Sequence, residues 1–202
     1  MRLGKNPQVI SLDPELLGDV LEDIRRVGRA TDAEEAAESL TGGLKARIDA
    51  VTEKAAQTSN RPTVLQLEWA DPLMCGGHWV VEMVERAGGA ACFGSKETGS
   101  LRLDWDQVVA SQPEIIMLMP CGYDLKRALE DLPLLSNLHG WDSLPAVRDG
   151  QVFIIDADAY TSRLGPRLIT GLEIMAEIIH PEIFSGMIPD GGAVRLGDAA
   201  GP

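Results

Sequence analysis

The sequence predicts an α/β fold, in which helices cover both faces of a mainly parallel sheet and one long helix precedes the sheet. Two observations lead to this prediction. From Thr63 onward, short apolar runs typical of strands alternate with segments whose apolar residues recur every three or four positions, as in helices. Before that point, one helical pattern continues from Thr31 to about Gln57. A helix of this length measures roughly 40 Å and is predicted to act as a strut beside the sheet.

The first elements of the chain are predicted to be a strand and a helix. Residues 8–12 form a short β-type run, and Asp13-Pro14 then supplies a helix N-cap followed by proline at the first helical position. Apolar residues recur at helical spacing as far as Val27, which predicts a helix over residues 14–27. Gly42-Gly43 lies inside the long helix that follows and predicts a local irregularity, since glycine is a poor helix former.

The sheet-forming part of the chain begins after a polar break at residues 58–62. Strands are predicted at residues 63–67, 115–119 and 151–155, and helices at residues 78–87, 105–111, 125–132 and 165–179. The Gly- and Pro-rich segment after Phe184 is predicted to be a flexible tail. The predicted units are therefore a strand and helix (1–30), a long helix (31–60), an α/β lobe (61–184) and the tail (185–202).

The composition excludes some classes of protein. The chain has 202 residues, with 18 Lys and Arg against 31 Asp and Glu, for a formal net charge of −13. A nucleic-acid-binding protein needs a basic face to neutralise phosphates, so no nucleic-acid partner is predicted. Hydrophobic residues make up 45% of the chain, as is normal for a folded protein. No apolar run approaches the length of about 18 residues that a membrane span needs, and no secretory signal is recognised after Met1.

The candidate binding residues lie in loops that follow the predicted strands. In open α/β sheets, ligands bind outside the carboxyl ends of the strands. Aromatic residues are only 4% of the chain, yet three of the four Trp and both Tyr fall in these loops. Loop tryptophans that merely cover the core are the plainer interpretation, but a ligand-facing wall explains this distribution better. The candidate ligand-binding residues are Trp69, His78, Trp79, Trp105, Tyr123, Tyr160 and Arg163.

Motifs for catalysis or for a resident metal are weak. Cys75 and His78 have a spacing that suits a metal, but two ligands do not make a zinc site. The sequence contains no P-loop, no GxSxG elbow and no GxGxxG after a strand. The cysteines Cys75, Cys92 and Cys121 are interpreted as small buried hydrophobes or incidental thiols. The sequence therefore predicts a protein that is not an enzyme and has no metal site of its own.

Longer stretches of the sequence resemble a known family. Glu-Trp-Ala-Asp-Pro at residues 68–72, followed by residues 77–89 with Gly-His-Trp at their start and Gly-Gly at their end, resembles the vitamin B12-type substrate-binding proteins of ABC importers. In that class, one long backbone helix joins two α/β lobes. Trp141 with residues 144–153, and residues 163–167, resemble the C-terminal lobe of the same class. The similarity runs from about residue 9 to residue 184.

The resemblance implies a transported ligand and a membrane partner. The ligand would be a corrinoid such as cobalamin, held between two lobes with no covalently bound cofactor, and the closed complex would deliver it to an ABC permease. Trp105 and Arg163 match ligand-side positions of the family, and Tyr160 lies in its ligand-contacting loop. For His78, a hydrogen-bonding or packing role is expected in preference to an axial role on cobalt.

The resemblance also implies a longer protein. Members of the family have a complete N-terminal lobe before the strand at Val9, and an export signal or lipid anchor; only the last strand and helix of that lobe are recognised here. The location expected from the resemblance is periplasmic or otherwise extracytoplasmic, or cytoplasmic if the chain is complete. The protein is expected to be a monomer.

Three alternative functions stay open at this point. One is a heme or ferric-siderophore binder of the same class. Another is a cytoplasmic α/β enzyme or metal-binding protein that uses Cys75 and His78. The last is a module that binds no small molecule and docks a basic partner through surface acids such as Glu82 and Glu85.

Overall fold

The computed structural model describes residues 9–199, which form a seven-stranded sheet with helices on both sides. Two helices, α1 (Leu17–Ala30) and α2 (Glu34–Ala55), precede the sheet. The next elements are β1 (Thr63–Ala70), β2 (Leu73–Cys75), α3 (Trp79–Arg86), β3 (Ala90–Ala91), β4 (Leu101–Arg102), α4 (Trp105–Ser111), β5 (Ile115–Leu118) and α5 (Leu125–Ser136). The last are a 3₁₀ turn (Trp141–Ser143), α6 (Pro145–Arg148), β6 (Val152–Ile155), α7 (Ala157–Tyr160), α8 (Arg167–Ile179), β7 (Ala193–Arg195) and α9 (Leu196–Ala199).

The sheet is parallel at its centre and antiparallel at its edges. Its strand order is β4-β2-β1-β5-β6-β7, and β3 also pairs with β1. The pairs β3–β1, β1–β5 and β5–β6 are parallel, whereas β2, β4 and β7 run antiparallel to their neighbours. The predicted α/β fold is confirmed. The sheet is more mixed than predicted, because β1 turns straight back into β2 and because the chain after α8 returns to pair with β6.

Two apolar clusters lie on opposite faces of the sheet. Successive residues of a strand point to opposite faces, so Val64 belongs to one cluster and Leu65 to the other. The first cluster is covered by α1, α2, α3 and α8, and the second by α4, α5 and α6. Helices therefore cover both faces, as the alternating pattern predicted.

A long helix is present over Glu34–Ala55 and continues through its glycines. α2 continues without interruption across Gly42 and Gly43, which are exposed and have no neighbouring atom within 4 Å of an added Cβ. The predicted irregularity is therefore wrong: the two glycines lower helix propensity but meet no packing conflict. α2 is tied to α8 by Arg47, whose guanidinium donates to Glu173 at 2.8 Å and to Thr170 at 2.9 Å.

The beginning of the chain differs from the prediction. No strand is present in residues 9–12, and Gln8 lies outside the described residues. Helix α1 begins at Leu17 and not at residue 14, because its free N–H groups find acceptors elsewhere than at Asp13. The Leu16 N–H donates to the Asp19 carboxylate at 2.9 Å, and the Leu17 N–H donates to the buried Glu82 carboxylate at 2.7 Å. The local carboxylate of Asp19 and the distant carboxylate of Glu82 thus cap the start of the helix together.

Most elements of the lobe are where the sequence predicted them. Helix α4 has the predicted bounds, and β1, β5, β6, α3 and α8 agree within a few residues. Helix α5 continues past residue 132 through Pro133 to Ser136. The two- and three-residue strands β2, β3 and β4 were not predicted. None of the helices in residues 9–199 is long and apolar enough to cross a membrane.

The segment after Phe184 joins the sheet instead of forming a tail. β7 pairs with β6, with Ile154 opposite Val194. The carboxylate of Glu177 on α8 accepts the backbone N–H groups of Gly186 at 3.1 Å, Met187 at 2.6 Å and Ile188 at 2.9 Å. The predicted flexible tail is therefore wrong for residues 185–199.

Replacing Glu177 by alanine tests this anchoring. The Glu177→Ala variant is expected to lower the free energy of unfolding by about 1–2 kcal/mol, because three N–H groups lose a charged acceptor. Urea denaturation followed by circular dichroism measures the change. Glu53→Ala, at an exposed site on α2, is the matched control and is expected to unfold as the parent protein does. Equal losses in the two variants would contradict the anchoring.

Candidate functional site

The loops after β1, β5 and β6 form one continuous edge of the lobe. The Cys121 N–H donates to the Glu68 carbonyl at 3.2 Å, and the Asp158 N–H donates to the Tyr123 carbonyl at 3.1 Å. The Gly122 N–H donates to the Ser162 hydroxyl at 3.0 Å. We call residues 68–79, 120–124 and 156–163 the strand-end edge. It lies at the carboxyl ends of the parallel strands, where ligands bind in open α/β sheets.

An aromatic pair stands on one side of the strand-end edge. Trp69 and Tyr123 are both half-buried, and their rings meet edge to face with centroids 5.2 Å apart. The guanidinium of Arg127 lies over the Tyr123 ring at 4.4 Å and also donates to Asp131 at 2.6 Å. Asp124 accepts the Arg127 N–H at 2.8 Å and so begins α5 directly after Tyr123. The pair is thus fixed by the strand end on one side and by a capped helix on the other.

A second aromatic group surrounds the first turn of α3. The Trp79 indole N–H donates to the Thr161 carbonyl at 2.8 Å, and its ring packs against the first apolar cluster. The His78 ring is stacked with the Trp79 ring at a centroid distance of 6.4 Å. The hydrogen bond to Thr161 ties α3 to the loop after β6. Both sides of the strand-end edge are therefore joined through that one loop.

The chain approaches itself very closely just before α3. A Cβ at Gly77 would lie 2.0 Å from the Thr98 carbonyl oxygen and 2.5 Å from that of Gly99. The His78 backbone has a φ of 45°, and its N–H lies 3.0 Å from the carbonyl oxygens of both Ser95 and Thr98. These contacts hold residues 94–100 against the start of α3. They require glycine at position 77, since any side chain would collide with backbone atoms.

Glu68 and Ser100 join this group although the sequence did not single them out. The Ser100 hydroxyl donates to the Glu68 carboxylate. Burial raises the pKa of Glu68, while the Ser100 hydrogen bond and the nearby His78 act in the opposite direction. Glu68 falls in the loop that the sequence marked as a binding wall, so it could have been predicted. Ser100 lies in a segment with no pattern, and only the fold brings it here.

The remaining predicted residues divide into two sets. Tyr160 ends α7 and packs against the first apolar cluster, and Arg163 pairs with Asp158; both lie on the strand-end edge. Trp105 instead donates its indole N–H to the His139 carbonyl at 2.7 Å and stacks on Trp141 at 6.3 Å. These contacts connect Trp105 to the second face of the sheet. Its assignment to ligand binding stays a prediction.

Cys75 does not combine with His78 into a metal site. It lies in the second apolar cluster opposite Leu67, and burial raises the pKa of its thiol, which disfavours the thiolate that binds metals. Burial likewise raises the pKa of Cys92 to about 11. Within residues 9–199, no group of three or more His, Cys, Asp or Glu side chains is arranged to hold a metal ion.

The acidic residues considered for docking are already engaged. Glu82 is buried, with 6% of its surface exposed, and accepts from the Leu17 N–H at 2.7 Å and from Arg86 at 2.7 Å. Glu85 pairs with Lys96 at 2.7 Å. A docking contact through Glu82 is therefore excluded, because its carboxylate is held inside the protein between α1 and α3.

Comparison with known proteins identifies a family that matches most of the chain. Residues 2–159 match the family described as periplasmic binding protein. The uncharacterized ABC transporter substrate-binding lipoprotein YvrC of Bacillus subtilis strain 168 is 27% identical over 179 residues, which cover 85% of this chain and 53% of the relative. The chain therefore spans about half the length of this curated relative.

Solved structures of similar proteins share the fold. The periplasmic heme-binding protein RhuT from Roseiflexus sp. RS-1 is 25% identical with a TM-score of 0.70, over 84% of this chain and 65% of that one. The periplasmic vitamin B12 binding protein BtuF of Vibrio cholerae is 19% identical with a TM-score of 0.67, over 84% of this chain and 64% of that one. These relatives are transport proteins and not enzymes, which is the class that the sequence predicted.

The close approach at Gly77 can be tested by adding one methyl group. Gly77→Ala is expected to lower the free energy of unfolding by about 1–3 kcal/mol, because the new Cβ forces backbone apart. Gly43→Ala, in the exposed face of α2, is the control and is expected to raise it by about 0.5–1 kcal/mol. Denaturant unfolding of both variants measures the two changes in the free energy of unfolding. A Gly77→Ala protein as stable as the parent would contradict the packing described.

Proposed function

We propose, since this chain belongs to the periplasmic binding protein family, that it is the ligand-binding lobe of a substrate-binding protein that serves an ABC importer. The chain spans about half of the YvrC lipoprotein, so the proposal concerns the lobe that this chain forms. In this function the chain performs no chemistry on its ligand. The chain binds the ligand and delivers it to a membrane permease.

One observation carries the proposal: fixed, half-buried aromatic rings line the strand-end edge. Trp69 and Tyr123 stand on one side, and Trp79 with His78 on the other. Hydrogen bonds and packing hold each of these rings in place before any ligand arrives. A preformed surface of aromatic rings loses little conformational entropy on binding and suits a large, flat ligand.

The ligand that we propose is a corrinoid such as cobalamin. The support is the resemblance of residues 68–89 to the B12-type proteins and the fold shared with BtuF of Vibrio cholerae. Heme is the second candidate, and the 25% identity to the heme-binding RhuT favours it. Both compounds are planar macrocycles with a central metal, so the same aromatic edge suits either.

The proposed partner is an ABC permease, and the proposed location is extracytoplasmic. Both proposals rest on the similarity to a substrate-binding lipoprotein. Binding by a single copy of the chain remains a prediction, since the strand-end edge needs no second copy to assemble its residues.

Titration of the chain with cyanocobalamin and with hemin tests the proposed function. Isothermal calorimetry is expected to give saturable binding of one ligand per chain. Tryptophan fluorescence is expected to fall with the same midpoint, because Trp69 and Trp79 lie at the proposed site. Trp69→Ala is expected to weaken binding by about tenfold or more, as for a buried aromatic anchor.

A control substitution separates the site from the rest of the surface. Leu134→Ala alters an exposed side chain on α5, 47% accessible, and is expected to bind as the parent does. Absence of heat and of quenching with both macrocycles would contradict the proposal. Equal weakening in the two variants would contradict the placement of the ligand at the strand-end edge.

A further inference from the structure

Glu68 is an extra residue near the end of β1. Leu67 is opposite Cys75 of β2, but Trp69 is opposite the adjacent residue Met74, so Glu68 has no partner across this ladder. A β-bulge of this kind redirects a side chain, and bulges are frequent beside active sites. The bulge therefore places a carboxyl group directly next to Trp69, one of the aromatic rings of the proposed site.

One oxygen of this carboxyl group is held, and the other is open. The Ser100 hydroxyl donates to Oε2 of Glu68. Oε1 accepts no hydrogen bond within residues 9–199, and it is not among the buried unpartnered atoms of that range, which are Asp23 Oδ2 and Gln66 Oε1. Oε1 of this half-buried residue therefore reaches solvent. An ionised carboxylate only accepts hydrogen bonds, so a ligand group that meets Oε1 must be a donor.

The guanidinium groups at the strand-end edge are already paired with carboxylates. The edge contains five Asp or Glu residues but one Arg and no Lys. That residue, Arg163, donates from Nε to the Asp158 carboxylate at 3.1 Å. Arg127, in the first turn of α5, donates to Asp131 at 2.6 Å. Burial raises the pKa of Glu68, so a second negative charge beside it would be unfavourable.

We propose that Glu68 sets the specificity of the site: its Oε1 accepts a hydrogen bond from an amide N–H on the rim of the bound macrocycle. This inference rests on the proposed function and narrows it to macrocycles whose side chains end in amides. Cobalamin carries amides around its corrin ring, whereas heme carries propionates. A charged acceptor binds an amide N–H strongly, and it repels a carboxylate at the same place.

Calorimetry with closely matched ligands tests the proposal. The ligands are cyanocobalamin and its monocarboxylic acids, separated after mild acid hydrolysis, in which one peripheral amide has become a carboxylate. At low salt, the parent protein is expected to bind cyanocobalamin about tenfold or more tightly than the weakest-binding acid. Added salt is expected to reduce this ratio, because it screens the repulsion between the two charges.

A variant assigns the selectivity to Glu68. Glu68→Gln keeps an acceptor oxygen and the shape of the side chain but removes the charge. It is expected to bind cyanocobalamin and the same acid within about twofold of each other, because the charge-dependent difference is lost. Glu114→Gln is the matched control, since the Glu114 carboxylate accepts the Thr63 N–H at 2.7 Å, at the other end of β1. The control is expected to keep the ratio of the parent protein.

Two failures can be told apart. Equal binding of cyanocobalamin and all its acids by the parent protein, or an unchanged ratio in Glu68→Gln, would overturn the role of Glu68 alone. If neither cyanocobalamin, nor its acids, nor hemin binds, the proposed function is overturned with it. The ratio in the parent protein and its dependence on salt decide the question if the variant folds poorly.

Discussion

The close contact of Gly77 with the backbone at Thr98 and Gly99 is the constraint on which the candidate site depends. It holds residues 94–100 against the first turn of α3 and leaves no room for a side chain at position 77. The same contact gives His78 its two backbone acceptors and its unusual φ. His78 is the N-cap residue of α3. Its position therefore sets the direction of α3 and the position of the Trp79 ring.

Hydrogen bonds connect the segment fixed at Gly77 to the other loops of the strand-end edge. The Trp79 indole N–H donates to the Thr161 carbonyl. The hydroxyl of the next residue, Ser162, accepts the Gly122 N–H. Gly122 precedes Tyr123, whose ring contacts Trp69. Glu82, one turn further along α3, holds the first N–H of α1. A site built in this way is set before the ligand arrives, so binding costs little rearrangement. This rigidity suits the proposed function, the capture and release of an unaltered molecule.

The sequence predicts the lobe well where its pattern is local and repeated. The capping residue of α4 and the apolar runs of β1, β5 and β6 predict these elements from the sequence alone. The loop aromatics predict most of the loops that form the strand-end edge. What escapes prediction depends on distant residues. The Asp13-Pro14 signal fails because Asp19 and the distant Glu82 supply the acceptors at the start of α1, and β7 is too short to show a pattern. Ser100 reaches the site only through the fold.

The proposed function depends most on the strand-end edge holding a planar macrocycle against its aromatic rings. A crystal structure of the chain with aquocobalamin, with the cobalt located by anomalous scattering, tests this most directly. The account predicts one strong anomalous peak beside the strand-end edge, and a corrin ring that contacts Trp69 or Tyr123. A fully occupied cobalt elsewhere on the lobe, away from the strand-end edge, would contradict it.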